Sequence, residues 1–92
     1  MYQLEFKEKA RQQLRDLAAH SSMLHSEAVN IILDLHDDPY PPDALEMVDD
    51  YDGFYRIRFN NHRIIYRVIE NEKTVIIWAI KPRSRATYKN LF

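Results

Sequence analysis

A chain of 92 residues without cysteine has room for one hydrophobic core, burying about 60–65% of its unfolded surface, and holds neither a disulfide framework nor a thiolate metal site. Its 46% apolar and 12% aromatic contents are those of a packed globule, and no apolar run approaches a membrane span, so a single soluble, cytoplasmic domain over residues 1–92 is expected. The net charge of −1 conceals a division: residues 1–53 carry four Lys or Arg against twelve Asp or Glu, and residues 54–92 carry nine against two, so a basic surface belongs to the second part.

Residues 2–6 alternate, with Tyr2, Leu4 and Phe6 on one side, and predict a short strand. Phe6, Ala10, Leu14, Leu17 and Ala18 then recur at helical spacing and predict a helix over about 7–19. Ser21 and Ser22 interrupt that pattern and can cap a second helix over about 23–36, whose apolar stripe is Leu24, Ala28, Ile31, Ile32 and Leu35. The two helices are expected to lie antiparallel across a short turn and to share one core face.

Three prolines in Asp37-Asp38-Pro39-Tyr40-Pro41-Pro42-Asp43 remove backbone donors and force an ordered, extended connector. Residues 44–48 are expected to form a strand, and residues 49–53 an acidic turn that holds the only glycine. Strict alternation over 54–59 and 62–69 flanks Asn60-Asn61, a pair that suits a type I′ turn, and predicts a two-residue hairpin. Residues 74–80, β-branched and aromatic almost without interruption, predict a central strand covered on both faces. The expected class is α+β, a two-helix antiparallel hairpin on a four- to five-stranded, mainly antiparallel sheet in the order β-α-α-β-β-β(-β).

A two-residue loop pairs Arg58 with Arg63 and Tyr55 with Tyr66, and paired residues share a face. Tyr55, Ile57, Phe59, Ile64, Tyr66 and Val68 therefore point towards the helices, while Arg56, Arg58, Arg63 and Arg67 point away. Arginines directly opposite each other cost a few tenths to about 1 kcal/mol, a sign that a bound anion reverses. The guanidinium fork suits phosphate because it donates two parallel hydrogen bonds and stays charged at any physiological pH. Acidic residues on a neighbouring strand, Glu46, Asp49 and Asp50, offer the plainer reading of a balanced exposed face. Beyond the last strand, Lys81, Arg83, Arg85, Tyr88 and Lys89 add further cations and one phenol. Trp78 can stack a base, but in an apolar strand it is expected in the core; His20 and His25 are expected in solvent, and His62 at the hairpin tip beside Arg63. The run His36-Asp37-Asp38 is read as a helix end and not as a metal site.

With Asp38-Pro-Tyr-Pro-Pro before the sheet, Gly53-Phe-Tyr-Arg-Ile-Arg, His62-Arg-Ile-Ile-Tyr-Arg-Val and a basic segment ending in Tyr88, the chain resembles the RelE/ParE toxins of type II toxin–antitoxin pairs along its whole length. The resemblance implies a toxin neutralised by a cognate antitoxin. In the RelE-like branch it implies cleavage of messenger RNA in the ribosomal A site by an internal 2′-hydroxyl, which calls on no cofactor or metal. Catalytic roles then fall to Arg56, Arg58, Arg63, Arg83 and Tyr88, with Arg67, Lys81 and Arg85 as RNA contacts, and Arg85 can take the place of Arg83. The ParE-like branch implies inhibition of DNA gyrase without nuclease chemistry, and a toxin that has lost its activity is a third possibility. Tyr88 favours the RelE-like branch.

Overall fold

A computed structural model describes residues 1–47 and 53–82. Its elements follow the expected order: β1 (Gln3–Phe6), α1 (Glu8–His20), α2 (Ser22–Asp37), β2 (Leu45–Glu46), β3 (Phe54–Phe59), β4 (His62–Ile69), a 3-10 turn (Glu70–Glu72) and β5 (Thr74–Pro82). One residue joins the helices. Ser21, in extended geometry, closes α1 by donating its N–H to Leu17 O at 2.8 Å and opens α2 by accepting from Leu24 N at 3.3 Å on its hydroxyl. A cap of this kind is worth about 0.5–2 kcal/mol.

The five strands of the described residues run in the order β1-β5-β4-β3-β2, antiparallel except where β1 lies parallel to β5, Gln3 beside Thr74 and Phe6 beside Ile77. The parallel pair needs a crossover, and α1 and α2 supply it. Both helices pack on one face, where Ala10, Leu17, Ala28, Ile32 and Leu35 meet Ile57, Phe59, Ile64, Tyr66, Val75, Ile77 and Ile80. Ala18, placed on that stripe by its spacing, is exposed instead. None of the described helices is long and apolar enough to cross a membrane.

The proline connector is tied to the sheet by tyrosines. Tyr66, fully buried, donates its hydroxyl to Pro39 O at 2.7 Å. Tyr40 stands edge-on to Tyr55 at 5.4 Å, and Tyr55 stacks on Tyr66 at 5.7 Å. Tyr40 and Tyr2 both donate to the Glu70 carboxylate. Burial raises the hydroxyl pKa values of Tyr40 and Tyr66, so both remain donors throughout the physiological range.

The hairpin register is the expected one, from Phe59 opposite His62 to Tyr55 opposite Tyr66. The turn differs from type I′, since only Asn60 of the pair has a positive φ, 51°. The strand expected over 44–48 is shorter, since β2 is only Leu45–Glu46; Val48 and the acidic residues Asp49, Asp50 and Asp52 lie outside the described residues.

Candidate nucleic-acid interface

The face of the sheet turned away from the helices carries the cations. Arg58 on β3 pairs with Arg63 on β4, and Arg63 pairs with Lys81 on β5, so three positive side chains form one row across three adjacent strands. Arg58 is exposed, Lys81 is half-buried and Arg63 is only 3% exposed. Arg56 and Arg67 lie on the same face, in the row of Ile65 and Ala79 and in the row of Phe54 and Ile76. The ammonium of Lys81 also lies near that of Lys9 in the first turn of α1. Burial first, and this neighbour second, lower the pKa of Lys81.

Lys81 owes its place to a β-bulge. The β4–β5 register slips between Ile65, opposite Ala79, and Tyr66, opposite Ile77, leaving Trp78 as the extra residue. Uninterrupted alternation from Ile77 would send Lys81 towards the helices; the slip sends Ile80 there and brings Lys81 beside Arg63. Trp78, half-buried, lies on the cationic face as alternation from Ile77 requires, and the bulge adds Ala79 beside it, so that the ring packs against a second apolar cluster of Met47, Phe54, Ile65 and Ala79. Trp78 and Phe54 meet edge to face at 5.2 Å, with Lys7 over the indole at 4.6 Å from its centroid and Arg67 over the Phe54 ring at 5.5 Å.

Of the residues expected to form the site, Arg56, Arg58, Arg63, Arg67 and Lys81 are brought to one face. Arg83, Arg85 and Tyr88 lie outside the described residues. Glu46 does not balance the arginines, because it pairs with Tyr55 on the helix-facing side. Trp78 is not purely core, and Lys7 and Lys9 join the face although no local pattern marks them. The signal that could have found them is the parallel β1–β5 pairing, which sets the start of α1 against β5.

His62 belongs elsewhere. It shares the helix-facing side with Phe59 and borders a cavity of about 250 Å³ together with Gln13, Asp16, Leu17 and His20. Its buried Nδ1 has no hydrogen-bond partner among the described residues, and burial, with His20 nearby, lowers its pKa below the usual 6.5. Below that value the unfolded chain takes up a proton that the folded one resists, so stability falls as pH drops through the window under about 6.5 and is unaffected above it. The urea midpoint is expected to be lower at pH 5.5 than at pH 7.5, and the gap should narrow in His62→Gln; an equal gap in the variant would place the titration on another group. Among the described residues, no group of three or more His, Asp or Glu is placed to hold a metal ion.

The family model for the ParE toxin of type II toxin–antitoxin systems, parDE, matches residues 4–87. The chain belongs to this toxin family. The membership and the fold agree with the RelE/ParE resemblance carried by the connector and hairpin motifs. Among solved structures, this toxin is similar to that of the archaeal RelE–RelB complex from Pyrococcus horikoshii OT3, with 27% identity and a TM-score of 0.73 over 92% of this chain and 98% of that one. The RelBE2 toxin–antitoxin complex from Mycobacterium tuberculosis shows 23% identity and a TM-score of 0.76 over 89% and 98%. The YoeB/ParE toxin from Agrobacterium tumefaciens shows 13% and 0.81 over 89% and 99%. No curated protein sequence gives a significant match.

Proposed function

We propose that this toxin is a ribosome-dependent endoribonuclease that cuts messenger RNA in the A site, and that a cognate antitoxin silences it. The observation that carries the reading is the row Arg58–Arg63–Lys81, three cationic side chains on paired strands, a concentration of positive charge suited to an anion. A phosphate in flight suits it, because attack by a 2′-hydroxyl places added negative charge on the pentavalent phosphorus, where preorganised cations stabilise it most.

In this reading Arg56, Arg58 and Arg63 hold the scissile phosphate, and Arg67 and Lys81 bind the flanking chain. Tyr88 orients the 2′-hydroxyl or takes its proton. Arg83, or Arg85 in its place, stabilises or protonates the departing 5′-oxygen. The products are a 2′,3′-cyclic phosphate and a 5′-hydroxyl, and the chemistry calls on no metal. A phenol acts as base near neutrality only if surrounding cations lower its pKa from about 10. The antitoxin rests on the relatives solved as RelE–RelB and RelBE2 complexes.

A second reading, inhibition of DNA gyrase without nuclease chemistry, is favoured by the description of the matching family as ParE. Purified toxin added to a reconstituted translation reaction separates the two. New messenger ends in the A site that disappear with Tyr88→Phe are expected. Intact messenger from a protein that still arrests growth would move the function to gyrase.

A further inference from the structure

Trp78 stands on the same face of the sheet as the row of cations. Three steps along β5 lead from it to Lys81, about 10 Å at the rise of a strand, a span that a nucleotide and its flanking phosphate bridge. The bulge sets this large ring, Ala79 and Lys81 on one face. Two cation-over-ring pairs, Lys7 on Trp78 and Arg67 on Phe54, stand beside the row. Cations interleaved with aromatic rings are the recurring means of holding single strands without base pairing.

We propose that Trp78 is a base-stacking platform for single-stranded RNA, with Lys7 as a displaceable cap and the Arg58–Arg63–Lys81 row holding the adjacent phosphates. The choice of RNA rests on the nuclease reading; the platform itself rests on the geometry of the face. Lys7 is exposed, and a solvated ammonium over an indole is held more weakly than a stacked base. The base therefore takes the position over the ring, and the ammonium swings onto the phosphate that arrives with it. Ring and cation both stay satisfied in the bound and free states, which keeps the platform soluble while it waits. The platform adds a contact that depends on the base to a row that senses only charge, so it gives the toxin a means of ranking sequences.

The chain contains one tryptophan, so its emission reports Trp78 alone. The full-length protein is titrated at low salt with a labelled 2′-O-methyl hexanucleotide, which lacks the attacking hydroxyl and is not consumed. Binding is followed by anisotropy of the label and stacking by tryptophan emission. Emission is expected to fall about twofold or more at saturation, and a hexamer of abasic residues is expected to bind without that fall. Lys7→Gln should retain the quench and flatten the salt dependence by about one phosphate contact, a slope change of about 0.7. Trp78→Leu, with an unchanged circular dichroism spectrum, should weaken binding about fivefold or more.

Binding with unchanged emission, equal quenching by the abasic strand, or no binding at low salt overturns the platform. So does a quench produced by an acidic peptide and by no oligonucleotide, which would assign the face to a protein partner. Base-dependent quenching without ribosomal cuts would overturn the nuclease reading and leave the platform standing; cuts without quenching would do the reverse.

Discussion

Arg63→Lys is expected to lower the rate of messenger cleavage about 100-fold or more while leaving the fold intact, a loss of the size seen when one preorganised donor to a developing oxyanion is removed. The substitution keeps the charge. It loses the planar fork, which is able to donate two parallel hydrogen bonds to a phosphate, at an almost fully buried position between Arg58 and Lys81. Arg58→Ala separates activity from stability. Its side chain is exposed and faces a like charge, so its loss should raise stability by a few tenths to about 1 kcal/mol while cleavage falls. Cleavage is measured by primer extension and stability by urea denaturation. Full activity in Arg63→Lys together with a destabilised Arg58→Ala would mean that the row serves the fold and not a phosphate.

The division between arginines and core was legible in the sequence because a two-residue loop leaves one register for the hairpin, and in that register Ile57 and Ile64 can face the helices only if Arg58 and Arg63 do not. The helices were legible from their apolar stripes and from Ser21. What remained hidden depends on partners distant in sequence. The run from Thr74 to Ile80 is apolar almost throughout, so it has no period from which a slip at Trp78 could be read, and without the slip Lys81 has no place in the row. Lys7 and Lys9 reach the cationic face because β1 lies parallel to β5, a pairing across more than two thirds of the chain. The side taken by Glu46 follows from a two-residue strand whose register no alternation fixes. Three of the eight expected site residues, Arg83, Arg85 and Tyr88, fall outside the described residues.

Leu35→Ala is expected to cost about 2–5 kcal/mol, a large share of the 5–15 kcal/mol typical of a domain. Leu35 is fully buried on α2 among residues of both layers, so truncation removes apolar surface and leaves a cavity that the surrounding β-branched side chains of the sheet cannot collapse to fill. Leu33, two residues earlier on the same helix, is 55% exposed, and Leu33→Ala should change stability by no more than about 0.5 kcal/mol. The urea midpoints of the two variants, measured beside the parent, give the contrast. Similar losses at both positions would place the two leucines in equivalent surroundings and contradict the packing.

The parallel pairing of β1 with β5 has a consequence for the order in which the protein is made. Thr74 must leave the ribosome before Gln3 has a neighbour, so the first strand waits through the synthesis of some 70 residues, several seconds at ordinary elongation rates. Both helices meanwhile lack β5, the strand on which α1 rests, and the row of cations lacks its third member. Closing so long a loop is an entropic cost met only when the last strand arrives. The cationic row is therefore complete only after Lys81 has been translated, so the face is assembled late in synthesis.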